Sequence, residues 1–150
     1  MIERLEISFN KQKQFISDVS HLLYITKADT GKVNLKKTKI NIQELINEII
    51  EETKLIETDK NGEIDIYSTK DNGKIYINIK DNGIGISKEE QENIFDRFYR
   101  VDKSRNKETG GVGLGLAIAK SIANVNGAEI KLESELAKGS KFIIIFKEYI

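Results

Sequence analysis

The stretch that decides the fold is Lys74-Ile75-Tyr76-Ile77-Asn78-Ile79-Lys80-Asp81-Asn82-Gly83-Ile84-Gly85-Ile86, answered further on by Gly110-Gly111-Val112-Gly113-Leu114-Gly115-Leu116. Lys74 to Lys80 alternates: Ile75, Ile77 and Ile79 fall on one side and Tyr76, Asn78 and Lys80 on the other. That is the two-residue period of a half-buried strand. The two glycine clusters hold six of the chain's eleven glycines. Glycine costs backbone entropy, so a cluster needs a left-handed residue or a ligand close to the main chain. The first cluster ends a strand and the second opens a helix. Together they read as two walls of a nucleotide pocket.

In the first wall, Asp81 lies where the strand gives way to glycine. A carboxylate there can accept a hydrogen bond from an exocyclic amine such as adenine's, and Gly83 and Gly85 have no Cβ to hold a flat base away. The same residues also read as a plain turn, since Asp-Asn-Gly is strong turn chemistry; Asp71-Asn72-Gly73 reads as such a turn. In the second wall, Leu116-Ala117-Ile118-Ala119-Lys120-Ser121-Ile122-Ala123 is a good helix former closed by Gly127. Leu114, Ile118, Ile122 and Val125 recur at helical spacing. A glycine-rich entry leaves free N–H groups at the positive end of the helix dipole, which suits phosphate; a flexible loop is the plainer reading. The pattern is not a P-loop, and the polar Lys103 to Thr109 before it excludes a dinucleotide fold, which needs a strand there.

Between the walls stands Ile94-Phe95-Asp96-Arg97-Phe98-Tyr99-Arg100. Ser87 and Glu90 make a capping box that predicts a helix start near Lys88. Ile94, Phe95 and Phe98 then share an apolar side. Arg97, Arg100, Lys103 and Arg105 carry positive charge towards the loop, either for phosphates or as a solvated basic turn.

Asp-x-Gly-x-Gly, Phe-x-Arg-Phe and Gly-x-Gly-Leu-Gly, in this order and spacing, resemble the G1, F and G2 boxes of sensor histidine kinases. The resemblance runs from about Thr58 to Phe146. It implies that Asp81 binds the adenine amine, that the loop between Arg100 and Gly113 is an ATP lid, and that Gly111, Gly113 and Gly115 line the phosphates. The implied cofactor-binding set is Asp81, Gly83, Gly85, Ile86, Phe98, Arg100, Lys103, Gly111, Val112, Gly113, Leu114, Gly115 and Leu116, with ATP and Mg²⁺ as cofactors.

One hundred and fifty residues suit one compact domain and an appendage. Twenty-four basic residues balance twenty-four acidic ones, so a general nucleic-acid binder is not expected. Cysteine is absent, which excludes disulfides and thiolate metal sites. No apolar run approaches membrane-spanning length and no signal peptide is evident, so a cytoplasmic chain without a membrane segment is expected.

Residues 2 to about 29 read as one long helix. Ile2, Leu5, Phe9, Gln12, Ile16, Val19 and Leu23 form a heptad seam that predicts a homodimer, or packing on the chain's own domain. His21, the only histidine, falls on the outer face of that seam. Phe15-Ile16-Ser17-Asp18-Val19-Ser20-His21 resembles the start of the kinase H box, which implies His21 as phosphoacceptor; an exposed imidazole can take a phosphoryl group. The residues after His21 resemble the end of the second helix of the dimerisation hairpin, so the acid that orients the histidine and the intervening hairpin are missing.

Gly31 is the expected helix stop. Val33 to Asn41 reads as a strand. With Asn41 as N-cap, Ile42, Leu45, Ile46, Ile49, Ile50 and Ile56 follow an amphipathic helix to about Glu57. The N-box helix, whose asparagines hold magnesium in the family, is missing; Asn47 and Glu51, four apart, are the only substitutes, and solvated helix positions look the same. Glu63 to Thr69 pairs with Lys74 to Lys80 through Asp71-Asn72-Gly73, and Ala128 to Ser134 pairs with Lys141 to Lys147 through Lys138-Gly139-Ser140.

The expected fold is an α/β two-layer sandwich: a mixed sheet of four or five strands, two or three helices on one face, and a protruding N-terminal helix. The expected division is a remnant phosphoacceptor helix over 1–31 and an ATPase domain over 32–150. The implied activity is autophosphorylation on His21 and phosphotransfer to the Asp of a response regulator receiver domain. The alternative is a degenerate nucleotide-binding or dimerisation module.

Overall fold

The computed structural model describes residues 17–31, 35, 38–53, 62–101 and 112–148. The chain forms two compact units. One contains residues 34–93 and 126–150, the other residues 1–33 and 94–125.

The first unit is built on a four-stranded sheet. Strands β1 (Ile64–Asp71), β2 (Lys74–Asp81), β3 (Glu129–Glu135) and β4 (Gly139–Lys147) lie in the order β1-β2-β4-β3. Every pairing is antiparallel, so the expected mixed sheet is corrected. Within each hairpin the reason is local, since tight turns can only join antiparallel strands; the β2–β4 pairing, which joins the two hairpins, is not set by a turn. Asn72 (φ 47°) and Gly73 (φ 69°) supply the two left-handed residues of the first turn. The second turn is made by residues 136–138, with Ala137 left-handed, rather than by Lys138 to Ser140.

Register carries the alternation of the sequence across the sheet. Ile66, Ile79, Phe142 and Leu132 form one rung of a face, and Ile77, Ile144 and Ile130 the next. Asp81, two residues beyond Ile79, lies at the end of this same face. The apolar stripe therefore runs into a carboxylate.

Helix α2 (Ile42–Thr53) packs on β1 and α3 (Lys88–Gln91) on β3. Asn41 caps α2 as expected: its side-chain oxygen accepts the Gln43 N–H at 3.0 Å, and its amide donates to Glu44 at 2.9 Å. The expected run of α2 beyond Thr53 lies outside the described residues. The expected strand from Val33 to Asn41 is not found in its described part, residues 35 and 38–41. Leu35 and Ile40 are five apart, so a strand would put them on opposite faces, and Ile40 is in fact 62% exposed.

In the second unit, α1 is helical over residues 17–29 and stops at left-handed Gly31, whose N–H reaches the Ala28 carbonyl at 3.1 Å. The start of the expected long helix lies outside the described residues. Helix α4 (Gly115–Val125) ends at left-handed Gly127. Its buried residues are Ala117 and Ala123; of the expected stripe, Leu114 just before the helix is buried, Ile118 and Val125 are half-buried, and Ile122 is 43% exposed. The helix expected to run from Lys88 through the Phe95 segment stops at Gln91. Turns follow, and Phe98 is left-handed (φ 65°), a conformation no helix can contain.

Candidate functional site

Asp81 is the last residue of β2, half-buried, and fixed by main chain. Its Oδ1 accepts the N–H of Gly83 at 2.8 Å and of Ser140 at 3.3 Å. Among the described residues nothing reaches Oδ2. One carboxylate oxygen is thus an anchor and the other is open. The first bond is an Asx turn, so the turn reading and the ligand reading of Asp81-Asn82-Gly83 are compatible: each uses a different oxygen.

The loop after Asp81 is clamped to the β3–β4 hairpin. The Ala137 N–H donates to the Ile84 carbonyl at 2.8 Å, and the Ile86 N–H to Ser134 Oγ at 2.8 Å. The Gln91 side-chain amide donates to both Ile86 O (2.8 Å) and Ser134 O (3.0 Å). Asn82 closes the other flank, its side chain accepting the Glu63 N–H at 2.9 Å. Two glycines make this possible. A Cβ on Gly85 (φ +68°) would stand 2.0 Å from the Glu135 carbonyl oxygen, and one on Gly139 (φ +92°) 2.0 Å from that of Asp81. Gly85 is therefore required by main-chain packing. Gly83 differs: its missing Cβ points at Asp81 Oδ1, 2.8 Å away. Ile86 is half-buried beside this clamp.

A shallow cleft of about 360 Å³ opens at this end of the sheet, lined by Asp81, Ser134, Gly139 and Ser140 and by Lys80 and Lys138. Ser134, Gly139, Ser140 and Gln91 are absent from the set the sequence suggested. Ser134 and Ser140 are cross-strand partners and share a face, a pairing that the turn expected at Lys138 to Ser140 does not contain.

The Phe-x-Arg-Phe segment and the second glycine cluster lie in the other unit. There the Phe98 N–H donates to Gly113 O at 3.0 Å. A Cβ on Gly113 (φ +79°) would stand 2.7 Å from the Tyr99 carbonyl oxygen. Gly115 has open space where its Cβ would be. Leu114 is buried, Arg100 and Leu116 are half-buried, and Val112 and Phe98 are exposed. Lys103 and Gly111 lie outside the described residues. Arg97 pairs with Asp29 of α1, and the Lys120 ammonium sits 5.2 Å from the centre of the Phe95 ring. His21 is exposed on α1.

Asn47 and Glu51 are both exposed on α2, and the Asn47 carbonyl accepts the Gln43 amide at 3.3 Å. Among the described residues no three histidine, cysteine or acidic side chains gather to hold a metal. Among the described residues, Asn47 and Glu51 are therefore not part of a cluster of histidine, cysteine or acidic ligands. No helix among the described residues is long and apolar enough to cross a membrane.

A sequence profile for "Histidine kinase-, DNA gyrase B-, and HSP90-like ATPase" matches residues 34–150. The signal transduction histidine-protein kinase ArlS of Staphylococcus aureus (strain USA300) is 34% identical over 96% of this chain, which spans 40% of that relative. The same kinase from strain COL matches equally. The alignment covers 181 positions against a chain of 150 residues, so the relative carries segments that are missing here. Among solved structures, full-length ShkA in complex with AMPPNP has a TM-score of 0.76 at 18% identity, covering 91% of this chain and 36% of its own. The Acinetobacter baumannii histidine kinase AdeS has a TM-score of 0.71 at 16% identity, covering 95% and 83%. These two show the fold alone, an α/β sandwich with an antiparallel sheet. The chain belongs to the histidine kinase-, DNA gyrase B- and HSP90-like ATPase family, and within it to the catalytic ATP-binding domains of the histidine kinases.

Proposed function

We propose that this chain binds ATP through Asp81 and is the nucleotide-binding part of a two-component sensor kinase. In this reading it transfers the γ-phosphoryl group to His21 on a helical remnant over 1–31, and from there to the Asp of a receiver domain. The observation that carries the adenine contact is the division of labour on Asp81: Oδ1 is held by two N–H groups and Oδ2 is left to accept an amine. The bare entry to α4 at Gly115 supports phosphate at the helix N-terminus. Exposure of His21 is what a phosphoacceptor needs. A homodimer through the N-terminal helix is part of this proposal, and Val19 and Leu23 of the seam are exposed.

One observation favours a second reading, a nucleotide-binding module without phosphoryl transfer. Only residues 54–63 separate α2 from β1. A further helix of ordinary length takes about 11 residues before its loops are added, so the magnesium-holding helix has no room. Phosphoryl transfer depends on positioning and charge neutralisation, and that helix supplies part of both.

One experiment separates the readings. The chain is incubated with γ-labelled ATP, with His21→Gln and Asp81→Asn alongside. Acid-labile label lost in both variants establishes the kinase. ATP binding by calorimetry without label in the wild type, abolished by Asp81→Asn, establishes the module. ATP binding unaffected by Asp81→Asn overturns both.

A further inference from the structure

Counting hydrogens around Ser134 fixes the direction of every bond there. Its Oγ lies 2.8 Å from Ile86 N, 2.9 Å from the Gly139 carbonyl oxygen and 2.9 Å from Ser140 Oγ. A serine hydroxyl has one hydrogen and two lone pairs. The Ile86 amide can only donate and the Gly139 carbonyl can only accept. Ser134 therefore gives its hydrogen to Gly139 and receives one from Ile86. The contact with Ser140 then has one possible direction: Ser140 donates to Ser134. What Ser140 has left for any other partner is lone pairs. Asp81 is in the same condition, since Oδ1 is anchored and the open Oδ2 of a carboxylate has no hydrogen to give.

Asp81 and Ser140 both line the cleft at the end of the sheet. We propose that Ser134 is a positioning residue for base specificity: by taking the Ser140 hydrogen, it leaves the Asp81–Ser140 pair able to accept and not to donate. Such a pair selects a base edge that carries an amine and refuses one that carries an oxo group in the same place, whatever the lysines at the cleft rim do. Ser140 and Asp81 would meet the ligand; Ser134 acts through Ser140. The inference rests on the reading of Asp81 as the base contact.

The test compares ATP with inosine triphosphate, which has an oxo group where ATP has its amine, on the full chain by calorimetry. The wild type should prefer ATP. Ser134→Ala frees the Ser140 hydrogen to turn towards the ligand, and the preference should narrow on the order of tenfold, mostly through tighter binding of the oxo nucleotide. Ser134→Thr keeps one hydrogen and two lone pairs and should restore the wild-type ratio. A purely structural loosening would weaken both nucleotides alike, and a ratio unchanged in Ser134→Ala overturns the inference. If Ser134→Ala does not fold, Ser140→Ala decides: it removes the acceptor, so the ratio must narrow, and an unchanged ratio overturns the proposal. Loss of ATP binding in Asp81→Asn with no effect of either serine variant leaves the base contact standing and removes only this inference. ATP binding that ignores Asp81→Asn removes both.

Discussion

At the scale of single residues, glycines that look alike in the sequence have different jobs. Gly85 and Gly139 are left-handed, and an added Cβ on either meets a carbonyl oxygen at 2.0 Å. Gly115 is not left-handed and faces open space. Gly85→Ala should cost about 2 kcal/mol or more, because it adds strain and breaks the clamp together. Gly115→Ala should instead raise stability by about 0.5 kcal/mol, since alanine is the better helix former. If phosphates lie against the α4 entry, the same Gly115→Ala should lower ATP affinity on the order of tenfold. Thermal melts and calorimetry on the two variants check this crossed pattern. A Gly115 variant that binds ATP as tightly as the wild type would remove that glycine from the site. The sequence made the glycine clusters visible but could not sort them. The φ sign and the neighbour of each glycine come from chain segments far away, such as Glu135 for Gly85 and Tyr99 for Gly113.

At the scale of elements, what could be read in advance is what depends on near neighbours. The alternation of Ile75, Ile77 and Ile79 announced β2 as a strand, although Asn78 on its other face is buried as well, and Asn72-Gly73 announced its turn. Asn41 capped α2 where expected. Asn41→Ala should therefore cost about 1 kcal/mol, measured by denaturant unfolding, because the Gln43 N–H and the Glu44 carboxylate lose their partner. No change on that substitution would mean α2 is held by its packing on β1 alone. Elements decided by distant contacts escaped. The helix begun by Ser87 stops after four residues. The Ser87 hydroxyl bonds the Glu90 carboxylate at 2.9 Å and not a main-chain N–H, so the two residues pair with each other instead of making the side chain to main chain bonds of a capping box. Gln91 then turns its amide to the Ile86 and Ser134 carbonyls, and the chain leaves the helix beyond it. Nothing local in Lys88 to Phe98 announces that clamp, and a mid-segment Phe98 with positive φ is improbable on propensity alone.

At the scale of the whole molecule, the chain spans 40% of the curated kinases it matches and is shorter than the alignment that relates them. On the proposed reading one of the missing pieces is a helix between α2 and β1, where residues 54–63 stand. This loss has a physical signature that does not require catalysis. A ligand that binds only the folded state stabilises it by RT ln(1 + [L]/Kd), about 2.7 kcal/mol at a hundredfold excess over Kd. If the chain offers magnesium no donors of its own, the metal reaches it only as part of the nucleotide. The stabilisation by ATP should then be the same with magnesium as with a chelator, within about 0.5 kcal/mol, since no bond from protein to metal is gained. In Asp81→Asn it should vanish in both conditions, because the open oxygen is replaced by an amide that repels the adenine amine while the Oδ1 anchor survives. Thermal melts at several ATP concentrations, with and without chelator, measure this directly. A melting temperature that rises with ATP only when magnesium is present would mean that residues outside the described set complete a metal site. The chain would then retain the phosphate-neutralising chemistry that its shortened α2–β1 link argues against.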